Sequence, residues 1–435
     1  MTDANVILWG RRIGAVSCDD AKAVATFQYD PAFLAAGIEP SPLVMPVRET
    51  PYAFRALGRD TFKGLPGLLA DALPDSFGNA LIDVWLVETG QRIETFSPVD
   101  RLCYVGTRGV GALEFQPAVR GQNARHAIEI AQLVDLARRV LADRTSMAGR
   151  LGTGDDRAAL QDILRVGTSA GGARAKAVLA WNPLTGEFRC GQVDATAGFE
   201  HWLLKFDGVA NNRDRELVDP LGFGRIEYAY HLMAKRAGIE MSACRLHHEG
   251  NRSHFMTRRF DREQDGRKLH TQSLGALRHF DYNMPGAYAY EQAIETIRRL
   301  GLGMVAVKQQ YRRAVFNIVA RNQDDHVKNI SFLMNRSGQW RLAPAYDVAY
   351  AYNPSGDWTG QHQMSLAGKR DSFERDDLLR FATTAGLKRR MAGAIIDEVT
   401  SAVAEWPRFA AEAGVPPADI RRISKAHRLE LKSVS

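Results

Sequence analysis

The chain contains no run of about 18 apolar residues, so a membrane-spanning helix is not expected. Cysteine is scarce: Cys18, Cys103, Cys190 and Cys244 are the four in 435 residues. They lie far apart without metal-ligand spacing, which implies neither a disulfide framework nor a zinc site. Reduced, buried thiols in the cytosol are expected instead. No Gly-Lys-Ser/Thr occurs, which excludes a Walker phosphate loop. Arg11-Arg12 has no apolar export segment behind it. Zinc-finger spacing, a homeodomain-like basic helix, internal repeats and long low-complexity tracts are also missing.

What remains is ordinary for a soluble globular protein, 45% hydrophobic and 25% charged. A length of 435 residues exceeds one compact core and suggests two or three domains. The net charge of +7 admits nucleic acid or an acidic partner. However, its arginine pairs (Arg298-Arg299, Arg312-Arg313, Arg389-Arg390, Arg421-Arg422) fall on polar faces of apparent helices and read as solvated surface.

Three stretches follow along the chain. Residues 1–118 read as mixed α/β, opening on a hairpin of Val6–Trp9 and Ile13–Val16 and closing on a strand at Gly111–Phe115. Residues 119–262 contain an amphipathic helix over about 125–143, a Gly/Asp-rich linker at 149–156, and strands at Ala173–Trp181, His201–Phe206 and Phe255–Phe260. Beyond 263 the pattern is helical, with Tyr290–Leu300, Met304–Ala320, 376–386, 388–406 and 417–430 carrying apolar residues at three-and-four spacing.

One stretch concentrates chemistry. In Asn322-Gln323-Asp324-Asp325-His326-Val327-Lys328-Asn329, Asp324 and Asn329 have the Asp-x-x-x-x-Asn spacing of a kinase catalytic loop. Leu342-Ala343-Pro344-Ala345-Tyr346-Asp347 follows it. Phosphoryl transfer needs an Asp to orient or deprotonate the attacking hydroxyl, and an Asn and an Asp to hold Mg²⁺. Between them, Ile330–Met334 and Gln339–Leu342 read as strands around the turn Asn335-Arg336-Ser337-Gly338, so Asp347 should return beside Asn329. Asp325 and His326 would support the loop, and Lys328 would reach the γ-phosphate or the acceptor.

Upstream, Val166-Gly167-Thr168-Ser169-Ala170-Gly171-Gly172-Ala173-Arg174-Ala175-Lys176 is small enough for backbone N–H groups to approach phosphate oxygens, with Gly171, Gly172 and Ala173 at its centre. Lys205 ends an apolar strand, which suits a buried stem and an ammonium on the α/β-phosphates. Glu227, on a helix beginning near Gly224, is its candidate ion-pair partner.

Taken together, these residues resemble the HipA-type serine/threonine kinases, toxins of bacterial toxin–antitoxin pairs. Val105-Gly106, Leu73-Pro74-Asp75 and Arg259-Phe260-Asp261-Arg262 add to the likeness, which covers nearly the whole length. It implies an α+β, two-lobed kinase-like fold with an N-terminal appendage (1–118), an N-lobe (119–262) and a helical C-lobe (263–435). It implies ATP and Mg²⁺, with Asp324 catalytic, Asn329 and Asp347 on the metal, and Arg259 and Phe260 near the adenine. It places an inactivating autophosphorylation at Ser169, or at its neighbour Thr168. The loop departs from the family's commoner Ala-Gly-Ala-Gln-Glu-Lys, with Arg174 where Gln is frequent. Implied partners are a helix-turn-helix antitoxin, DNA through that antitoxin, and an aminoacyl-tRNA synthetase as substrate. The alternatives are an antitoxin–DNA scaffold or co-repressor, and a small-molecule kinase on the same fold.

Overall fold

The computed structural model describes residues 2–19, 24–118, 128–142, 163–164, 167, 174–191, 198–209 and 221–432. The chain divides into two compact units. The first comprises residues 1–221, 247–272 and 334–339, and the second comprises 222–246, 273–333 and 340–435.

The first unit opens with an antiparallel sheet of β1 (Thr2–Leu8), β2 (Arg11–Asp19), β3 (Val24–Tyr29) and β4 (Leu113–Gln116), in the order β3-β2-β1-β4. Trp9 and Gly10, both at positive φ, form the two-residue turn that matches the twist of the β1–β2 hairpin. Strict alternation along β3 buries Ala25, Phe27 and Tyr29. Gly14 is required by close approach, because a Cβ there would lie 2.3 Å from the Gln28 carbonyl oxygen.

The helix Ser76–Glu88 starts where Asp75 accepts a hydrogen bond from the Gly78 N–H at 2.7 Å. Asp75 of the Leu73-Pro74-Asp75 stretch is therefore the cap of this helix. The inner face of this helix (Phe77, Leu81, Val84) packs with Leu133, Val134 and Leu136 of the helix Ile130–Ala142. The same core takes in the second sheet through Leu179, Trp202, Leu204 and Met256. That sheet contains β5 (Lys176–Trp181), β6 (Phe188–Cys190), β7 (Glu200–Lys205), β8 (Cys244–Glu249) and β9 (Arg252–Arg258), ordered β6-β5-β7-β9-β8.

A buried charge cluster fastens the chain after β9. Arg259 and Arg262 both bond the Asp261 carboxylate, at 2.6 and 2.7 Å. Asp261 also accepts the Gly111 N–H at 2.7 Å, and Arg262 donates to the Gly111 carbonyl at 3.1 Å. Burial alone would raise the Asp261 carboxyl pKa, but the two guanidiniums outweigh it and hold it far below the usual range.

The second unit is helical. Its central helix, Met304–Val319, buries Val307, Tyr311, Val315, Phe316, Ile318 and Val319. Around it run Phe223–Arg236, Tyr290–Arg299, Arg375–Thr384, Arg389–Ala404, Trp406–Glu412 and Pro417–Ala426. Tyr230 packs edge-on against Phe316 and Trp406 and donates to the Ala320 carbonyl at 2.6 Å, fixing the end of the central helix. Of the four cysteines, Cys18, Cys103 and Cys190 are buried. Cys244 is only half-buried, contrary to the expectation of four buried thiols. Among the described residues no helix is long and apolar enough to cross a membrane.

Replacing Asp261 by Ala leaves two guanidiniums buried without their carboxylate and should cost about 3–5 kcal/mol in denaturant unfolding. The sign with pH follows from a depressed folded pKa. The stabilisation from Asp261 is complete above its unfolded value of about 3.9 and is lost as pH falls toward the folded value. Acid unfolding of Asp261→Ala should accordingly show less pH dependence below about pH 4 than wild type.

Candidate active site

The central helix stops at Ala320, and Arg321 follows at φ 57°, the left-handed conformation that ends a helix and turns the chain. The acidic stretch begins there. Asn322 donates from Nδ2 to Asn317 Oδ1 at 3.0 Å. Gln323 takes the Ala351 carbonyl through its N–H at 3.0 Å, and the Thr359 carbonyl through Nε2 at 2.9 Å.

The next two residues, both aspartates, have opposite environments. The Asp324 side chain is 46% exposed. Asp325 is buried and accepts three hydrogen bonds: Tyr290 hydroxyl at 2.6 Å, His362 Nδ1 at 2.7 Å and Gln363 N–H at 2.7 Å. Burial would raise its carboxyl pKa, but His362, Tyr290 and the Gln363 N–H together hold it below the ordinary range. Arg428 NH1 lies 3.0 Å from His362 Nε2. A guanidinium can only donate, so Nε2 is the accepting nitrogen and Nδ1 carries the proton given to Asp325. Arg428 also bonds Asp371 and donates to the Ile318 carbonyl, tying the C-terminal segment beneath the loop.

Asn329 donates from Nδ2 to the Asp324 carbonyl at 2.7 Å. That reserves the amide nitrogen for the loop and leaves the amide oxygen as the donor for a cation. The strands Ser331–Met334 and Trp340–Leu342 pair, with the Asn335–Gln339 turn closed by an Asn335 N–H to Gln339 carbonyl bond at 3.1 Å. After the hairpin, Ala345 N–H meets the Glu240 carbonyl at 2.8 Å. Tyr346 bonds Ser331 Oγ at 2.5 Å as well as the Lys328 carbonyl.

The hairpin brings Asp347 back to the loop. Asn329, Asp347, Asp325, His326, Asn317 and Arg313 all line one cavity of about 30 Å³, room for a water or an ion. Asp347 sits at φ 52°, a conformation that Asp tolerates better than most residues. An amide oxygen beside carboxylates is a hard-donor set suited to Mg²⁺, which needs one or two carboxylates together with substrate phosphates. Among the described residues no three His, Cys, Asp or Glu side chains form a closed metal cage. Lys328 Nζ lies 4.9 Å from the Tyr282 ring centroid, and His326 packs against Tyr282 and Trp358 at 5.5 and 6.5 Å.

The remaining sequence-predicted residues are placed as follows. Lys205 ends β7, half-buried in the first unit, with Nζ 5.7 Å from the Phe255 ring centroid. Glu227 is buried on the Phe223–Arg236 helix of the second unit. Arg259 is engaged with Asp261 and Gly109, and Phe260 follows it in a turn. Thr168, Ser169, Gly171, Gly172 and Ala173 lie outside the described residues. At the edges of that loop, Gly167 is packed so tightly that a Cβ would lie 2.6 Å from Leu81, and Lys176 is buried 3.2 Å from Asp75. Tyr290, Trp358, His362, Gln363 and Arg428 were not legible as site residues. They come from segments 30 to 100 positions away from the loop with no motif spacing.

The described residues thus define a mixed α/β protein of two units, with an acidic loop and a hairpin converging on one polar pocket. The chain belongs to the HipA family. A model described as the HipA-like C-terminal domain matches residues 168–406, and one described as the HipA N-terminal domain matches residues 4–116. A protein of Sinorhizobium fredii (strain NBRC 101917 / NGR234) named "Putative kinase Y4mE" is 28% identical over 192 residues, 40% of this chain. The chain spans less than half, 44%, of that relative's length. The solved structure of the Shewanella oneidensis MR-1 toxin–antitoxin system, HipA with HipB and its operator DNA, matches with a TM-score of 0.65 at 18% identity. That match covers 97% of this chain and 94% of that one, a likeness of fold.

Asp325→Ala removes the acceptor of three buried donors and should cost about 3–5 kcal/mol. His362→Ala, which withdraws only one of the three, should cost about 1–3 kcal/mol. Thermal unfolding of the two variants side by side checks the ordering.

Proposed function

We propose that this protein is a Mg·ATP-dependent serine/threonine protein kinase, the toxin of a toxin–antitoxin pair. The observation that carries the reading is the convergence of Asn329 and Asp347 on one polar pocket, with the half-exposed Asp324 on the same loop and its carbonyl bonded by Asn329 Nδ2. Asp324 is the group that orients the acceptor hydroxyl and takes its proton, since it is the accessible carboxylate of the pair. Asn329 and Asp347 offer oxygen ligands for Mg²⁺. The metal, when bound, neutralises charge on the transferring phosphoryl group. In this reading, as the resemblance implies, Lys205 serves the α/β-phosphates with Glu227 as its ion-pair partner, and the segment Gly171-Gly172-Ala173 serves them with backbone N–H groups. Arg259 and Phe260 border the adenine. His326 and Lys328 shape the acceptor side of the loop.

Phosphate on Ser169, or on Thr168, adds about two negative charges where ATP phosphates belong and switches the kinase off. Family membership supports a helix-turn-helix antitoxin as partner, contact with DNA through that partner, a translation component such as an aminoacyl-tRNA synthetase as substrate, and a cytoplasmic location. The fold shared with a HipA crystallised with HipB and operator DNA points the same way.

Purified protein given labelled ATP and Mg²⁺ should phosphorylate itself and a protein acceptor. Asp324→Asn should lower the rate by about 10²–10⁴. Asp347→Asn tolerates the positive φ while removing the charge, so it should fold normally and require far more Mg²⁺. A wild type that transfers no phosphate under any Mg²⁺ concentration would sink the kinase reading. Phosphopeptide mapping should find Ser169 or Thr168; label confined to distant sites would refute the switch while leaving the kinase intact.

A further inference from the structure

Asp324 and Asp325 are adjacent in sequence, and a single loop, residues 353–363, grips both. His362 and the Gln363 N–H hold the buried Asp325. From the same loop Trp358 reaches the exposed Asp324, with indole Nε1 donating to Oδ1 at 2.7 Å. His326 Nε2 stands 3.8 Å from that same oxygen. The second carboxylate oxygen of Asp324 has no such neighbour among these two groups.

The loop is built to keep Trp358 there. Gln323 Nε2 takes the Thr359 carbonyl at 2.9 Å, and Gln363 Nε2 takes the Trp358 carbonyl. Gly360 N–H bonds the Gly356 carbonyl at 3.0 Å. That closure admits no side chain at Gly360, where a Cβ would lie 2.5 Å from the Gly356 oxygen. Gln323, which clamps Thr359, immediately precedes Asp324. Gln363, which clamps Trp358, also donates its N–H to Asp325. The two aspartates and the indole are therefore one mechanical unit.

A carboxylate on a half-exposed side chain rotates broadly about its terminal torsion. A base must instead present one oxygen within hydrogen-bond reach of the acceptor hydroxyl. One charge-assisted N–H bond selects which oxygen is occupied. An indole N–H only donates, so Trp358 can neither accept the acceptor's proton nor replace the base. We propose that Trp358 is a positioning residue for phosphoryl transfer: its N–H pins Oδ1 of Asp324 and thereby presents Oδ2 to the acceptor hydroxyl. The proposal rests on the kinase reading above.

Trp358→Phe keeps an aromatic ring beside His326 and deletes the donor. It should lower kcat about tenfold while the KM for ATP stays within about twofold. On an Asp324→Asn background the same change should cost nothing further, because the group it positions is gone. Gly360→Ala, which must displace the Gly356 carbonyl, should reproduce the kcat loss without touching either side chain. Independently of turnover, the indole N–H resonance that disappears in Trp358→Phe should shift in Asp324→Asn. Unchanged kcat in Trp358→Phe, an undiminished penalty on the Asp324→Asn background, or an indole resonance indifferent to Asp324→Asn each overturns the proposal. A wild type inert toward every acceptor overturns the kinase reading and this proposal together, whereas an active wild type with a silent Trp358→Phe overturns this proposal alone.

Discussion

The carboxylate of Asp325, buried and held by Tyr290, His362 and the Gln363 N–H, is the interaction on which the acidic loop depends. An ionised group inside a protein is costly unless its lone pairs are met, and here three donors from two separate segments converge on it. Each donor is itself constrained. Tyr290 also accepts from Asn317 on the central helix at 2.9 Å, and Asn317 in turn holds Asn322. His362 is set in one tautomer by Arg428, which is bonded to Asp371 and to the end of the central helix. Any tilt of the loop would break several buried bonds at once, which is how a short irregular segment acquires the rigidity of a helix.

That rigidity explains the division of labour between neighbouring aspartates. Adjacent residues in an extended segment point in opposite directions, so one carboxylate can be buried while its neighbour stays exposed. Asp325 spends its charge on internal donors. Asp324 remains nearly half exposed. The hairpin acts on a longer scale, since pairing Ser331–Met334 with Trp340–Leu342 returns Asp347 to the cavity that Asn329 lines. In the first unit, Asp261 plays a role parallel to Asp325. It neutralises Arg259 and Arg262 and captures the Gly111 N–H, joining the segment after β9 to the start of β4.

Much of the layout was readable because it is local. The hairpin of Val6–Trp9 and Ile13–Val16, the three-and-four spacing of Tyr311, Val315, Ile318 and Val319, and the turn Asn335–Gly338 are each set by a few neighbouring residues. The strand with Lys205 and the helix with Glu227 were likewise legible, with boundaries shifted by no more than one position. Side-chain partners were less legible. Asp75 caps the helix Ser76–Glu88 through the Gly78 N–H, and Arg259 is paired with Asp261. A side chain's partner is chosen by the fold, and residue type alone does not name it.

By itself the sequence determined the mixed α/β class, the acidic loop, the hairpin that returns Asp347, and the family. The first three follow from periodicity and short-range spacing, and the family from the resemblance its motifs carry. Only the tertiary structure decided which aspartate of the pair is buried, that His362, Gln363 and Arg428 support it, and that Trp358 reaches the other. Those contacts join residues 34 to 110 positions apart. They exist because packing one helical core closes long loops upon each other, and no local pattern records which loop will arrive.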